Sequence, residues 1–309
     1  MVELDKTTQS ILDVIDGLGF KQEGAFNLRY NGSSACYGNS ENIRIEKKTD
    51  KQGIDIYVSS KADGDEVHIP VVVNTDDGFN DEVYNDFFIE AGANVVIVAG
   101  CGLHNSGCNE ARHSGIHSFH VGKNAVVTYQ EKHYGEGNGL GTNVLDPVTN
   151  IFLDEGSVFN LDTAQIKGVD STLRKTYATL GPNSKFIVTE RLMTHGTQTA
   201  QSDMQIVLDG EGSSAQIISR SVAREKSSQI FHPDAIGMSK CSAHVQCDSI
   251  IMDEAMVSSI PQIEAKNVNA AIVHEAAIGR INDEQLQKLR TLGLTESEAE
   301  GVIIDAFLQ

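Results

Sequence analysis

The feature that most constrains this chain is a recurring turn. Ala91-Gly-Ala-Asn94, Val121-Gly-Lys-Asn124, Glu155-Gly-Ser-Val158, Leu180-Gly-Pro-Asn183 and Asp209-Gly-Glu-Gly212 each lead into a short β run. Their glycines stand at 92, 122, 156, 181 and 210, giving spacings of 30, 34, 25 and 29 residues. The runs include Val67–Val73, Asn94–Ala99, Ala125–Gln130, Ile151–Leu153, Lys185–Thr189, Met204–Leu208 and Ala215–Ser219. They are rich in Val, Ile, Thr or aromatic residues and bounded by Gly, Asn or Asp, as strands are. A loose period of this size with no helix between the runs predicts stacked β coils, a β-helix or a similar solenoid, over residues 26–279. A β-sandwich, whose strands also alternate with glycine turns, is the competing architecture.

Both ends of the chain change pattern. Within residues 1–25, positions 5–17 read as a helix with Ile11, Leu12 and Ile15 on one face, and Gly17 and Gly19 as stop signals. Residues 280–309 read as two helices. Asn282-Asp-Glu-Gln285 and Thr295-Glu-Ser-Glu298 have the spacing of capping boxes, and Leu286, Leu289, Ala299, Val302, Ile303, Ala306 and Phe307 lie beyond them at helical intervals. The second of these helices carries Glu296, Glu298, Glu300 and Asp305 and no basic residue, so it is unsuited to a DNA groove. On pattern alone the pair is expected to dock on the main domain.

Charge narrows the function classes. Asp and Glu outnumber Lys and Arg 43 to 24, a net charge of −19, which disfavours nucleic acid and anionic membrane surfaces as partners. No apolar run reaches the length of a membrane span, and the acidic start Met-Val-Glu-Leu-Asp lacks a signal-peptide pattern, so a cytoplasmic location is expected. The five cysteines, at 36, 101, 108, 241 and 247, form no CxxC and match no zinc knuckle. No GxxxxGK[ST] and no GxSxG occurs. The Gly-rich stretch Tyr134–Gly141 lacks the GxGxxG spacing, and Pro147 keeps residues 144–149 from forming the helix that a dinucleotide site needs. The stretch reads as a flexible loop.

Two clusters carry metal-binding residue types. In His113-Ser-Gly-Ile-His117-Ser-Phe-His120, close in sequence to His104, Cys101 and Cys108, strand alternation puts His113 and His117 on one face and His120 on the other. A three-histidine site would need a turn at Gly115, and packing within the coils is the alternative. The second cluster is Cys241-Ser-Ala-His244-Val-Gln-Cys247, with His274-Glu275 about one repeat later. Thiolate, imidazole and carboxylate suit iron, and stacked coils would bring Cys247 to the 274–275 strand. Cys241 is harder to include, because six extended residues span roughly 20 Å. Burial of Cys247 in the core is the competing reading, since Val245, Cys247 and Ile251 alternate onto one face.

From Phe88 onward the chain resembles the SufB/SufD family of iron–sulfur cluster assembly scaffolds. The resemblance rests on Val188-Thr-Glu-Arg-Leu-Met-Thr-His195, Ser219-Arg-Ser-Val-Ala-Arg224, Gln246-Cys-Asp-Ser-Ile-Ile251 and His274-Glu-Ala-Ala-Ile-Gly279. Asp283-Glu-Gln-Leu286 and Leu292-Gly-Leu-Thr-Glu-Ser-Glu-Ala299 complete it. The resemblance implies a right-handed parallel β-helix with C-terminal helices that dock a SufC-type ABC ATPase, so that ATP is handled by the partner. It places Cys247 on the B-type assembly cysteine, Glu275 on a B-type glutamate and His274 on the histidine of the D-type subunit. Carrying both sets in one chain implies a homodimer with a site built from both copies.

The chain looks most like the short, ancestral-type form of the family. With no cysteine between 109 and 240, it lacks the internal sulfur-receiving cysteine of longer B proteins. The expected function is a scaffold, not an enzyme, that assembles a labile iron–sulfur cluster for recipient apo-proteins. The alternatives are a metal-dependent β-helix enzyme acting on carbohydrate and a metal-free adaptor for an ATPase.

Overall fold

A computed structural model describes residues 4–16 and 23–309. Among these residues the chain forms two eleven-stranded sheets, both parallel apart from their N-terminal edges. From Phe79 onward the chain passes back and forth between the sheets, so each coil contributes one layer to each. The result is a parallel β-solenoid of about eight turns. Asn94, Val126, Val158, Lys185, Ser214, Ser242 and Ala271 lie side by side in one sheet, 27 to 32 residues apart. The glycine period in the sequence is the length of a coil, and the sandwich alternative falls.

The turn glycines serve two needs. Gly92 has φ +77°, a conformation that L side chains rarely adopt, whereas a Cβ on Gly210 would stand 2.0 Å from the Pro182 nitrogen of the coil below. The loop of residues 137–142 obeys the second rule. Cβ atoms on Gly137, Gly139 and Gly141 would fall 2.0, 2.1 and 2.0 Å from the carbonyl oxygens of Asn105, Gly107 and Asn109. These glycines let one coil's loop stack closely on the next, so the flexible-loop reading of this stretch is replaced by a stacked one. The Val67–Val73 run is two strands, Asp63–His68 and Val71–Thr75, parted at Ile69 and Pro70, because Pro70 lacks the N–H that a continuous ladder needs.

Alternate residues of each strand point into the coil. Part of this lumen is filled by an apolar stack that includes Phe87, Phe119, Phe159 and Phe186. At the N-terminal end the helix Lys6–Ile15, capped by the Asp5 side chain, lays Ile11, Leu12 and Ile15 on the solenoid. Gly100 and Gly102 admit that helix, since Cβ atoms there would strike Ile15 and Ile11. The stop glycines at 17 and 19 lie outside the described residues.

At the other end, Asp283–Thr291 begins at an Asn282 cap and buries no residue. Glu296–Leu308 begins at a full Thr295–Glu298 capping box and docks through Ala299 and Ile304. Arg224 also reaches Glu300 at 3.4 Å. Leu292 and Val302 stay exposed, and Glu296–Leu308 is the helix that rests on the solenoid. No helix among the described residues is long and apolar enough to cross a membrane.

Candidate functional site at the C-terminal coil

Cys247 points into the lumen from Ser242–Ile251, the penultimate strand of its sheet, and is 2% exposed. Its register partner on the last strand, Ala271–Gly279, is Ala276, so only a methyl group covers it on that side. Burial pushes the Cys247 thiol up, and nearby Ser259 and Ser249 partly oppose this.

His274 stands opposite Val245, two positions before Ala276. Like Val245 and Cys247 it turns inward, because strand alternation gives the same face to positions of equal parity. Cys247 and His274 are thus diagonal neighbours on one face, with Cα atoms about 8 Å apart from standard strand spacings. Burial lowers the pKa of His274, which keeps the imidazole neutral at pH 7, and its Nε2 is buried with no hydrogen-bond partner. A neutral imidazole without a partner and an ionisable thiol are what a soft or borderline metal needs from a protein.

Glu275 has the opposite orientation. It is exposed and meets His244 Nε2 at 3.4 Å on the outer face. Cys241 sits at the corner before the strand, close to Gly237, Ala270 and Ile272. The extended strand from 242 to 251 holds it apart from Cys247, with no turn to bring the two thiols together. Of the four residues singled out in the sequence, the fold therefore joins Cys247 and His274 on one inner face. It sets Glu275 on the other face and Cys241 at a corner.

The end of the solenoid beyond this site is open. The strand Ala271–Gly279 pairs on one side only, and Met256, Ile260, Ile263, Val268, Val273 and Ile278 are exposed around it. An open parallel edge beside exposed apolar side chains is a surface that proteins ordinarily cover.

Toward the N-terminus the lumen carries a polar row. Glu131, Thr163, Glu190, Ser219 and Cys247 occupy the same position in successive coils. Arg174 crosses from the other sheet to pair with Glu131, and its Nε lies 3.8 Å from Glu190. Glu190 accepts from the hydroxyls of Ser202 and Ser219, both at 2.8 Å. Burial resists ionisation of Glu131, yet Arg174 and His133 outweigh it and hold the carboxyl well below the usual carboxylate range. Sequence reasoning missed this network. Its one signal was a charged residue at an inward position, as in Val127, Tyr129, Glu131 and His133.

The histidine cluster divides as alternation requires. His113 and His117 point inward without a turn at Gly115. His120 points outward and stacks between Phe88 and Phe152 at 5.2 and 5.3 Å. His104 meets Glu136 at 3.3 Å, Cys108 is exposed and Cys101 is buried in register with His133. No three or more His, Cys, Asp or Glu side chains converge as a ready metal cage among the described residues.

Residues 80–307 match the family model for the SUF system FeS cluster assembly, SufBD core domain. The chain belongs to the SufBD family. An iron–sulfur cluster assembly SufBD family protein of Methanothermobacter thermautotrophicus is 28% identical over 231 residues, covering 73% of this chain and 54% of the relative. One from Archaeoglobus fulgidus is 29% identical over 231 residues, 74% of this chain and 60% of the relative. A third, from Synechocystis, is 25% identical over 231 residues, 71% and 47% of the two chains. The chain thus spans about half to three-fifths of the length of these relatives. Membership of the family supports a general role in iron–sulfur cluster assembly.

Proposed function

We propose that this SufBD family member is a scaffold on which a labile iron–sulfur cluster is built at the C-terminal end of the solenoid. The observation that carries this reading is the placing of Cys247 and His274 as diagonal neighbours on one inner face. Only the Ala276 methyl adjoins Cys247 on the last strand, and the imidazole nitrogen has no partner of its own. The cluster is cargo. Stable clusters usually have four thiolates, and a site with one thiolate and an exchangeable nitrogen is suited to release.

The open edge and the apolar residues around it fit a second copy of the chain, in keeping with the homodimer expected from the family resemblance. Glu275, exposed on the outer face, is then available to the shared interface rather than to its own Cys247. The helix Asp283–Thr291, which buries no residue, and the exposed side of Glu296–Leu308 offer a surface to an ABC-type ATPase. Movement of that partner on ATP turnover would shift the two copies and open the site. The test is the iron and acid-labile sulfide content of anaerobically purified protein. Both are expected in the wild type and lost in Cys247→Ser. Equal content in the two proteins refutes the site, and no iron in either leaves the metal-free adaptor as the function.

A further inference from the structure

We propose that His113 and His117 form a second, separate metal site inside the solenoid, taking a single transition-metal ion of the kind that imidazole binds. The site shares no residue with Cys247 and His274 and does not depend on the scaffold reading. Its geometry is set by Gly115, which lies between the two histidines on the inner face of the strand Ala111–Val121. A Cβ at Gly115 would stand 2.9 Å from His117 Nε2 and 3.6 Å from His113 Nε2. Both nitrogens therefore face the space that the missing side chain leaves. The histidines are 1% and 5% exposed.

The hydrogen bonds decide what these nitrogens offer. His113 Nδ1 lies 3.0 Å from Asp81 Oδ2, and Asp81 is paired with Arg29. Both Asp81 oxygens accept from the Arg29 guanidinium, so Asp81 meets His113 as an acceptor. His113 therefore donates through Nδ1, and its buried Nε2 has no hydrogen-bond partner.

The same logic applies to His117. The Tyr129 hydroxyl gives its one proton to Glu131, at 3.1 Å, and so accepts from His117 Nδ1, also at 3.1 Å. Nδ1 is thus engaged and Nε2 is the nitrogen of His117 left at the gap. Two imidazoles at one gap, each backed through Nδ1 by a chain ending in a carboxylate, is the support that metal-binding histidines use to fix tautomer and basicity.

Asp81, Glu131 and Glu190 outnumber Arg29 and Arg174 in this part of the lumen by one. Val83 and Asn85, the register partners of Gly115 and His117 on the adjacent coil, line a pocket of about 560 Å3.

The probe is Co2+, bound anaerobically to the full chain carrying Cys247→Ser, which removes the thiolate from the other site. Crystals are then examined by anomalous scattering at the cobalt edge. A peak shared by the two Nε2 atoms is expected. Tyr129→Phe, which keeps the ring but removes the acceptor behind His117, should weaken cobalt binding by about 10- to 100-fold. Gly115→Ala should abolish it with both histidines still present. Cobalt found only at surface groups such as His104 and Glu136, or an ordered water between the imidazoles in cobalt-loaded crystals, overturns the proposal. So does unchanged affinity in Tyr129→Phe. If Gly115→Ala does not fold, the Tyr129→Phe result decides.

Discussion

Arg174→Met is expected to destabilise the protein by about 3–5 kcal/mol, the cost of leaving a buried ion network without its cation. Methionine keeps most of the length and apolar volume of the arginine stem, so packing accounts for little of the loss. What changes is the lumen. Arg174 serves Glu131 directly and Glu190 at 3.8 Å, and no other arginine or lysine pairs with either carboxylate among the described residues. At about 2 °C per kcal/mol for a domain of this size, the melting temperature should fall by about 6–10 °C at pH 7.

The pH dependence tests the mechanism as well as the magnitude. In the wild type the folded Glu131 carboxyl is depressed, so its stabilising contribution is present above its unfolded value. It is lost only as pH falls through the lower folded value. Without Arg174, burial dominates and the folded carboxyl rises above its unfolded value. The deficit of Arg174→Met should then be largest at pH 8 and shrink toward pH 5, by up to about 1.4 kcal/mol per unit as Glu131 takes up a proton. Differential scanning calorimetry at several pH values reads both effects. A melting temperature within about 1 °C of wild type across this range would refute the buried-network account.

Three further outcomes are expected. Iron loading at Cys247 should strengthen with pH by up to tenfold per unit between pH 6.5 and 8.5, because the raised thiol must lose its proton to ligate. Iron titrations with equal affinity at both ends of that range would contradict a thiolate ligand. Val268→Glu with Ile278→Asp, both exposed at the open end, should convert a dimer to a monomer by light scattering, and an unchanged mass would move the interface elsewhere. Gly210→Ala should lower the melting temperature by several degrees, since its Cβ would meet the backbone at Pro182, whereas Gly279→Ala meets nothing within 4 Å and should not.

Much of the architecture was legible because a solenoid repeats its local rules. Turn glycines recur at the coil length, and alternation sorted His113 and His117 from His120 and set His274 against Glu275. Which member of the last pair faces inward depends on register with Ser242–Ile251, which adjacency in sequence does not specify. The polar lumen was hidden for a related reason. Glu131 and Arg174 are 43 residues apart and lie on different sheets. The loop of residues 137–142 and the break at Asp146 and Pro147 also make the repeat between them irregular. The period could not be extrapolated across that stretch. The role of the glycines at 137, 139 and 141 was missed because close coil-to-coil approach and flexibility leave the same mark on a sequence.

The central claim is that Cys247 and His274 hold one cluster, and nitrogen coupling to the reduced cluster tests it most directly. The protein would be reconstituted anaerobically with iron and sulfide, reduced, and measured by pulsed electron paramagnetic resonance in wild-type and His274→Gln forms. A directly coordinated imidazole nitrogen in the wild type that disappears in His274→Gln is the predicted result. The same nitrogen coupling in both proteins, or none in the wild type, would contradict it.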